Sequence, residues 1–108
     1  MKLGIILQSS EPEHVWNALR LAITAWKAKH EVKIFLLSEG VELERIPDTE
    51  HCDISKKIEE FTVLGGKILA CGTCLKSRSQ SETATCPIST MADLLRLVEE
   101  SNKVLTFG

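Results

Sequence analysis

The chain has 108 residues, 44% of them apolar and 26% charged, with a net charge of −2 and a pI near 5.9. This is the balance of one globular domain spanning residues 1–108, long enough to bury a core without disulfide or metal staples. Scattered basic residues under a net negative charge argue against a nucleic-acid or membrane-surface partner, since both require a basic patch.

Leu3 to Leu7 is a short isoleucine-rich run, the pattern of a strand buried on both faces. It is too short for a secretory signal, and no segment approaches the ~18 apolar residues of a membrane span. The expectation is therefore a cytoplasmic protein. Ser10 and Glu13 suggest a capping box around Pro12. Val15, Leu19, Ala22 and Trp26 then recur at helical spacing, with Trp16 and Ile23 widening the stripe, so a helix is expected over 11–29. Val32 to Leu37 reads as the second strand, ending at Ser38-Glu39-Gly40. The stretch 41–52 carries Pro47 and alternating charges and reads mainly as loop. Asp53 is placed to cap a second helix with the stripe Ile54, Ile58, Phe61 and Leu64, stopped by Gly65-Gly66. Lys67 to Ala70 is the third strand. Thr83 to Pro87 suggests a short fourth. Ser89 or Thr90 caps a last helix with Met91, Leu94, Leu95 and Val98 on one face, and Lys103 to Phe107 closes the chain as a strand.

Strands alternating with helices imply βαβ units, hence an α/β fold with three α/β/α layers around a mostly parallel sheet of about five strands. Sites in such sheets lie beyond the carboxyl ends of the strands. That rule groups Gln8-Ser9, Ser38-Glu39-Gly40 and Cys71-Gly72 around one crevice.

The chain has four cysteines. In a cytoplasmic protein these serve metal, redox or catalytic chemistry more often than structural disulfides. Cys71 and Cys74 form a C-x-x-C directly after the third strand. A helix start there favours the thiolate, Lys76 and Arg78 can add to this, and Gly72 leaves the backbone open to a partner's sulfur. The pair fits a persulfide carrier at Cys71, a dithiol redox pair with Cys74 resolving, half of a zinc site completed from Cys52, Cys86 or His51, or two packed thiols. Zinc lacks a second C-x-x-C or C-x-x-H, and a thioredoxin motif would follow an earlier strand, so no metal and no other cofactor is expected. Cys86, near the end of the suggested fourth strand, is the better candidate for a third participating thiol, although structural packing is the favoured reading. His14, His30 and His51 have no metal spacing. Trp16 and Trp26 fit core packing or a subunit interface. Gln80 to Thr85, rich in Ser, Thr and Glu, reads as a mobile loop over the site.

Leu3-Gly4-Ile5-Ile6-Leu7, Lys33 to Val41, Ile68-Leu69-Ala70-Cys71-Gly72-Thr73-Cys74 and Val104-Leu105-Thr106-Phe107, in this order and spacing, resemble the DsrE/DsrF-like family, which includes the TusD-type sulfur relay proteins. The resemblance spans nearly the whole chain. It implies a DsrEFH-like parallel sheet flanked by helices, assembly into a homotrimer or homohexamer, and intracellular sulfur handling with sulfur donor and acceptor proteins as partners. It maps the sulfur-carrying cysteine onto Cys71. Cys74 has no counterpart in the TusD-type motif. The resulting expectation is a sulfur carrier without independent turnover, using Cys71 and Cys74, with Gly72, Lys76, Arg78 and Cys86 as auxiliaries. The alternatives are a non-catalytic oligomeric module with structural or zinc-binding cysteines, or a small C-x-x-C disulfide reductase.

Overall fold

A computed structural model describes residues 1–108. Five strands form one sheet in the order β4-β3-β2-β1-β5, and every neighbouring pair runs parallel. They are β1 (Lys2–Leu7), β2 (Glu31–Leu36), β3 (Lys67–Cys71), β4 (Ile88–Ser89) and β5 (Lys103–Phe107). The α/β architecture expected from the alternating pattern is the one observed.

Leu3, Ile5 and Leu7 of β1, with Val32, Ile34 and Leu36 of β2, pack beneath α1 (Pro12–Lys27) through Val15, Ala18, Leu19, Ala22 and Ile23. Helix α2 (Ile54–Val63) lies beside α1 and adds Ile54, Ile58 and Phe61 to the same core. The opposite face of the sheet carries α4 (Met91–Glu100), whose buried Leu97 sits against Gly4 of β1. Successive residues of a strand point to opposite faces, so Gly4 turns toward α4 while Leu3 and Ile5 turn toward α1. Each face of the sheet is thus covered by helix, as an all-parallel sheet requires.

Several local expectations give way to what the backbone does. The first helix is capped by Glu11, whose carboxylate accepts the His14 amide at 2.9 Å. Ser10, expected in a capping box with Glu13, instead donates its hydroxyl to Glu39 at 3.1 Å. The segment read as loop contains a 3-10 helix, Ser38–Arg45, because Val41 and Leu43 bury against the core. Asp53 stands at the start of α2 but makes no capping bond there. Its carboxylate accepts the Trp16 indole N–H at 2.8 Å, tying α2 to α1. The suggested strand at Thr83–Pro87 is not formed; pairing with β3 begins at Ile88, opposite Ala70. Thr90 caps α4 in a full capping box with Asp93. Of the stripe expected on α4, Met91, Leu95 and Val98 stay exposed and Leu97 takes the buried position.

Candidate functional site

The carboxyl ends of β1, β2 and β3 are neighbours in the sheet, so the three segments grouped by the strand-end rule do meet. After β2 the Leu37 amide bonds to the Leu7 carbonyl at 3.0 Å, and Gly40 presses onto the end of β1. A Cβ at Gly40 would lie 2.0 Å from the Leu7 carbonyl oxygen, so no other residue fits this turn without moving backbone. Between them Ser38 takes φ 50°, a left-handed conformation that a non-glycine residue holds at a cost. That conformation points its amide at the third strand end, where Ser38 N–H donates to Cys74 Sγ at 3.2 Å.

Cys71 is the last residue of β3 and the cap position of α3 (Gly72–Ser77), and Cys74 lies one turn on. Both are free thiols. Burial pushes the Cys74 thiol up, the Ser38 amide pulls it back, and the adjacent Cys71 pushes it up again through a hydrogen bond and through its charge. Arg78 pulls in the thiolate's favour. At six residues α3 is short for a developed macrodipole, so local amides and charges set the electrostatics of the pair.

The candidate auxiliaries divide. Arg78 is held at the site, its guanidinium donating to the Cys74 carbonyl at 3.3 Å and pairing with Glu42 at 3.9 Å. Lys76 lines, with Cys71, a cavity of about 530 Å3 whose other walls include Gly72, Ile88 and Met91. Gly72 has a structural duty as well: a Cβ there would meet the Ile88 side chain at 3.0 Å, so its bareness lets β4 close on β3. Cys86 does not line the Cys71 cavity. It lines a separate one of about 150 Å3 with Glu44, Leu75 and Thr83. Burial, reinforced by the Glu44 carboxylate, pushes its thiol up to about 12. That fits a packed thiol and argues against a third nucleophile.

Cys52 is buried in the core beside the start of α2. Nowhere do three of the His, Cys, Asp and Glu side chains converge as a metal would need, so a zinc site completed by Cys52, Cys86 or His51 has no geometry within one chain. The Gln80–Thr85 stretch, read as a mobile cover, is fastened. Thr83 donates to Glu44, the Cys86 amide donates to Thr83 Oγ1 at 3.1 Å, and the Ile88 amide donates to Glu82 at 2.9 Å. The sulfur–amide contact at Ser38 was beyond sequence reasoning, because a backbone N–H leaves no mark on residue type.

These features define an all-parallel α/β protein with a pair of cysteines where the strands end. The DsrE/DsrF-like family profile matches residues 1–107, and the chain belongs to that family. Among curated proteins it is 38% identical over 101 residues to the uncharacterized protein MK0008 of Methanopyrus kandleri, covering 88% of this chain and 83% of that one. It is 34% identical over 115 residues to the uncharacterized protein MJ0989 of Methanocaldococcus jannaschii, covering 99% and 100%. Among solved structures, the YchN protein of E. coli superposes with a TM-score of 0.82 at 26% identity, over 99% of this chain and all of that one. MTH1491 of Methanobacterium thermoautotrophicum, of unknown function, has the same fold, with a TM-score of 0.74 at 13% identity over 96% and 97%. Family membership suggests a sulfur-relay-related role.

Proposed function

We propose that the protein is an intracellular sulfur carrier that takes up a sulfur atom as a persulfide on Cys71 and passes it to an acceptor protein, with Cys74 as the resolving thiol. The observation that carries this reading is the placement of two free thiols one helical turn apart at the end of β3, one lining an open cavity and the other held by the Ser38 amide. In the loading step the Cys71 thiolate attacks the outer sulfur of a donor persulfide. The donor's S–S bond breaks, the donor leaves as a thiolate that takes up a proton, and Cys71 becomes Cys71-S-SH. An acceptor thiolate reverses the same exchange and regenerates Cys71. Neither step needs an outside oxidant or reductant.

Cys74 opens a second exit. Its thiolate can attack Cys71 Sγ, expelling hydrosulfide and leaving a Cys71–Cys74 disulfide that a dithiol then reduces. This reading requires a compartment that keeps both thiols reduced, which is the cytoplasm. The experiment is mass spectrometry of protein purified without reductant, before and after a persulfide donor. Wild type is expected to gain sulfur on the Cys71 peptide, Cys71→Ser to gain none, and Cys74→Ser to load normally but release no hydrosulfide. Loading that survives in Cys71→Ser overturns the assignment.

We further infer that a second copy of this chain covers the exposed apolar stripe of Met91, Leu95 and Val98 on α4. The family resemblance supports a homotrimer or homohexamer, and the stripe runs on into half-buried Leu94, so it continues the core outward.

A further inference from the structure

Resting on that reading, the Cys71 cavity carries an inference about the donor. Cys71 is only 3% exposed, yet it lines a cavity of about 530 Å3. Cavities of roughly 300–1,000 Å3 suit small organic molecules. A thiol recessed in an open cavity of this size is within reach of a compact molecule that enters it.

The charges of the lining select among small molecules. Two ionisable side chains other than Cys71 face the cavity, Asp93 and Lys76. Asp93 is fully engaged: it accepts the Ser89 hydroxyl at 2.6 Å and the Thr90 amide at 3.4 Å, and pairs with Arg96 at 3.2 Å. Those bonds, led by Ser89, hold its carboxyl below the usual range, so it stays charged but satisfied. Lys76 takes part in none of the ion pairs of the chain. It is a cation without an anion, at a cavity otherwise walled by Ile88, Met91 and small polar residues.

We propose that Cys71 is loaded by a low-molecular-weight persulfide bearing a carboxylate, which Lys76 pairs with while the sulfane sulfur reaches Cys71. The exchange is the one written above: the Cys71 thiolate takes the outer sulfur and the small thiol leaves through the cavity mouth.

The test compares glutathione persulfide, which carries carboxylates, with cysteamine persulfide, which carries an ammonium group, at donor concentrations well below saturation. Sulfur on the Cys71 peptide is followed by mass spectrometry. Losing one charged contact corresponds to about a tenfold effect. Lys76→Ala is expected to slow loading from glutathione persulfide about tenfold, with Lys76→Arg restoring it and cysteamine persulfide loading unchanged. Lys76 is exposed, so circular dichroism of each variant is expected to match wild type. Glutathione persulfide loading within twofold of wild type in Lys76→Ala, or an equal loss with both donors, overturns the proposal while the carrier reading stands. Failure of both donors to load wild type, while a persulfidated donor protein loads it, also overturns the proposal and leaves the carrier reading standing; no loading from any of the three sinks that reading.

Discussion

Cys71 and Cys74 are three residues apart, and their surroundings give them different work. Cys71 lines the larger cavity, whereas Cys74 is tied to Ser38 and weighted toward the neutral thiol by burial. A raised thiol pKa means less thiolate at neutral pH and slower alkylation. Cys74 is therefore expected to react slowly with iodoacetamide at pH 7 and to accelerate over a range above the ordinary cysteine value of 9.0. A Cys74 profile centred below that value contradicts its assignment as the late, resolving thiol. Cys86 makes a separate prediction through linkage. Its thiol is raised from 9.0 to about 12 in the folded chain. Below pH 9 both folded and unfolded chains keep the proton and the contribution is fully present. Between 9 and 12 the unfolded chain ionises while the folded one does not, so stability is lost as pH rises. Denaturant midpoints across that window are expected to fall more steeply in wild type than in Cys86→Ala. Parallel slopes would show that Cys86 is not held neutral. The chemistry-bearing residue types were readable in the sequence because C-x-x-C after an apolar strand is a local signal. The separation of Cys86 from the pair was not, because it depends on where the 80–87 segment is fastened.

The elements hold this arrangement through a few contacts that can be removed singly. Gly40 allows the 3-10 helix to fold across the end of β1, and with it places the Ser38 amide. Gly40→Ala forces a Cβ into the Leu7 carbonyl, and such overpacking against backbone is expected to cost about 3 kcal/mol or more, read from urea midpoints. Wild-type stability in that variant would mean that the turn is not formed as described. Helix α4 depends on its capping box. Thr90→Ala is expected to cost about 1 kcal/mol. Because Asp93 faces the Cys71 cavity, the same change is expected to loosen that wall. Helix and strand positions were legible wherever the apolar period was long, as in α1 and β2. They were less so where burial came from a few scattered residues: Val41 and Leu43 make a 3-10 helix out of a segment whose proline and charges read as loop. Ser10 and Asp53 had the right types for caps and were used for tertiary bonds to Glu39 and Trp16 instead. Capping propensity is a local preference, and a partner from another element overrode it.

At the scale of the whole molecule, one sheet places the thiol pair at a single end and leaves one helix face unpaired. No helix is long and apolar enough to cross a membrane. Met91, Leu95 and Val98 follow one another along one side of α4, and Ile88 at the sheet edge is exposed nearby. The sequence pattern identified these residues as apolar positions of one helix. It could not say that Leu97 alone would be buried, because that follows from where Gly4 lets α4 approach β1. If copies of the chain bury this stripe, Leu95→Lys combined with Val98→Lys is expected to give a folded species of lower mass by light scattering. An unchanged mass would place the interface elsewhere.

The central claim is that sulfur is carried on Cys71, and mass spectrometry of the intact protein and its Cys71 peptide tests it most directly. After incubation with a persulfide donor, one added sulfur on that peptide, removable by dithiothreitol and absent in Cys71→Ser, is the expected result. Thiols that stay unmodified throughout, or sulfur that appears on Cys52 or Cys86 instead, would contradict it.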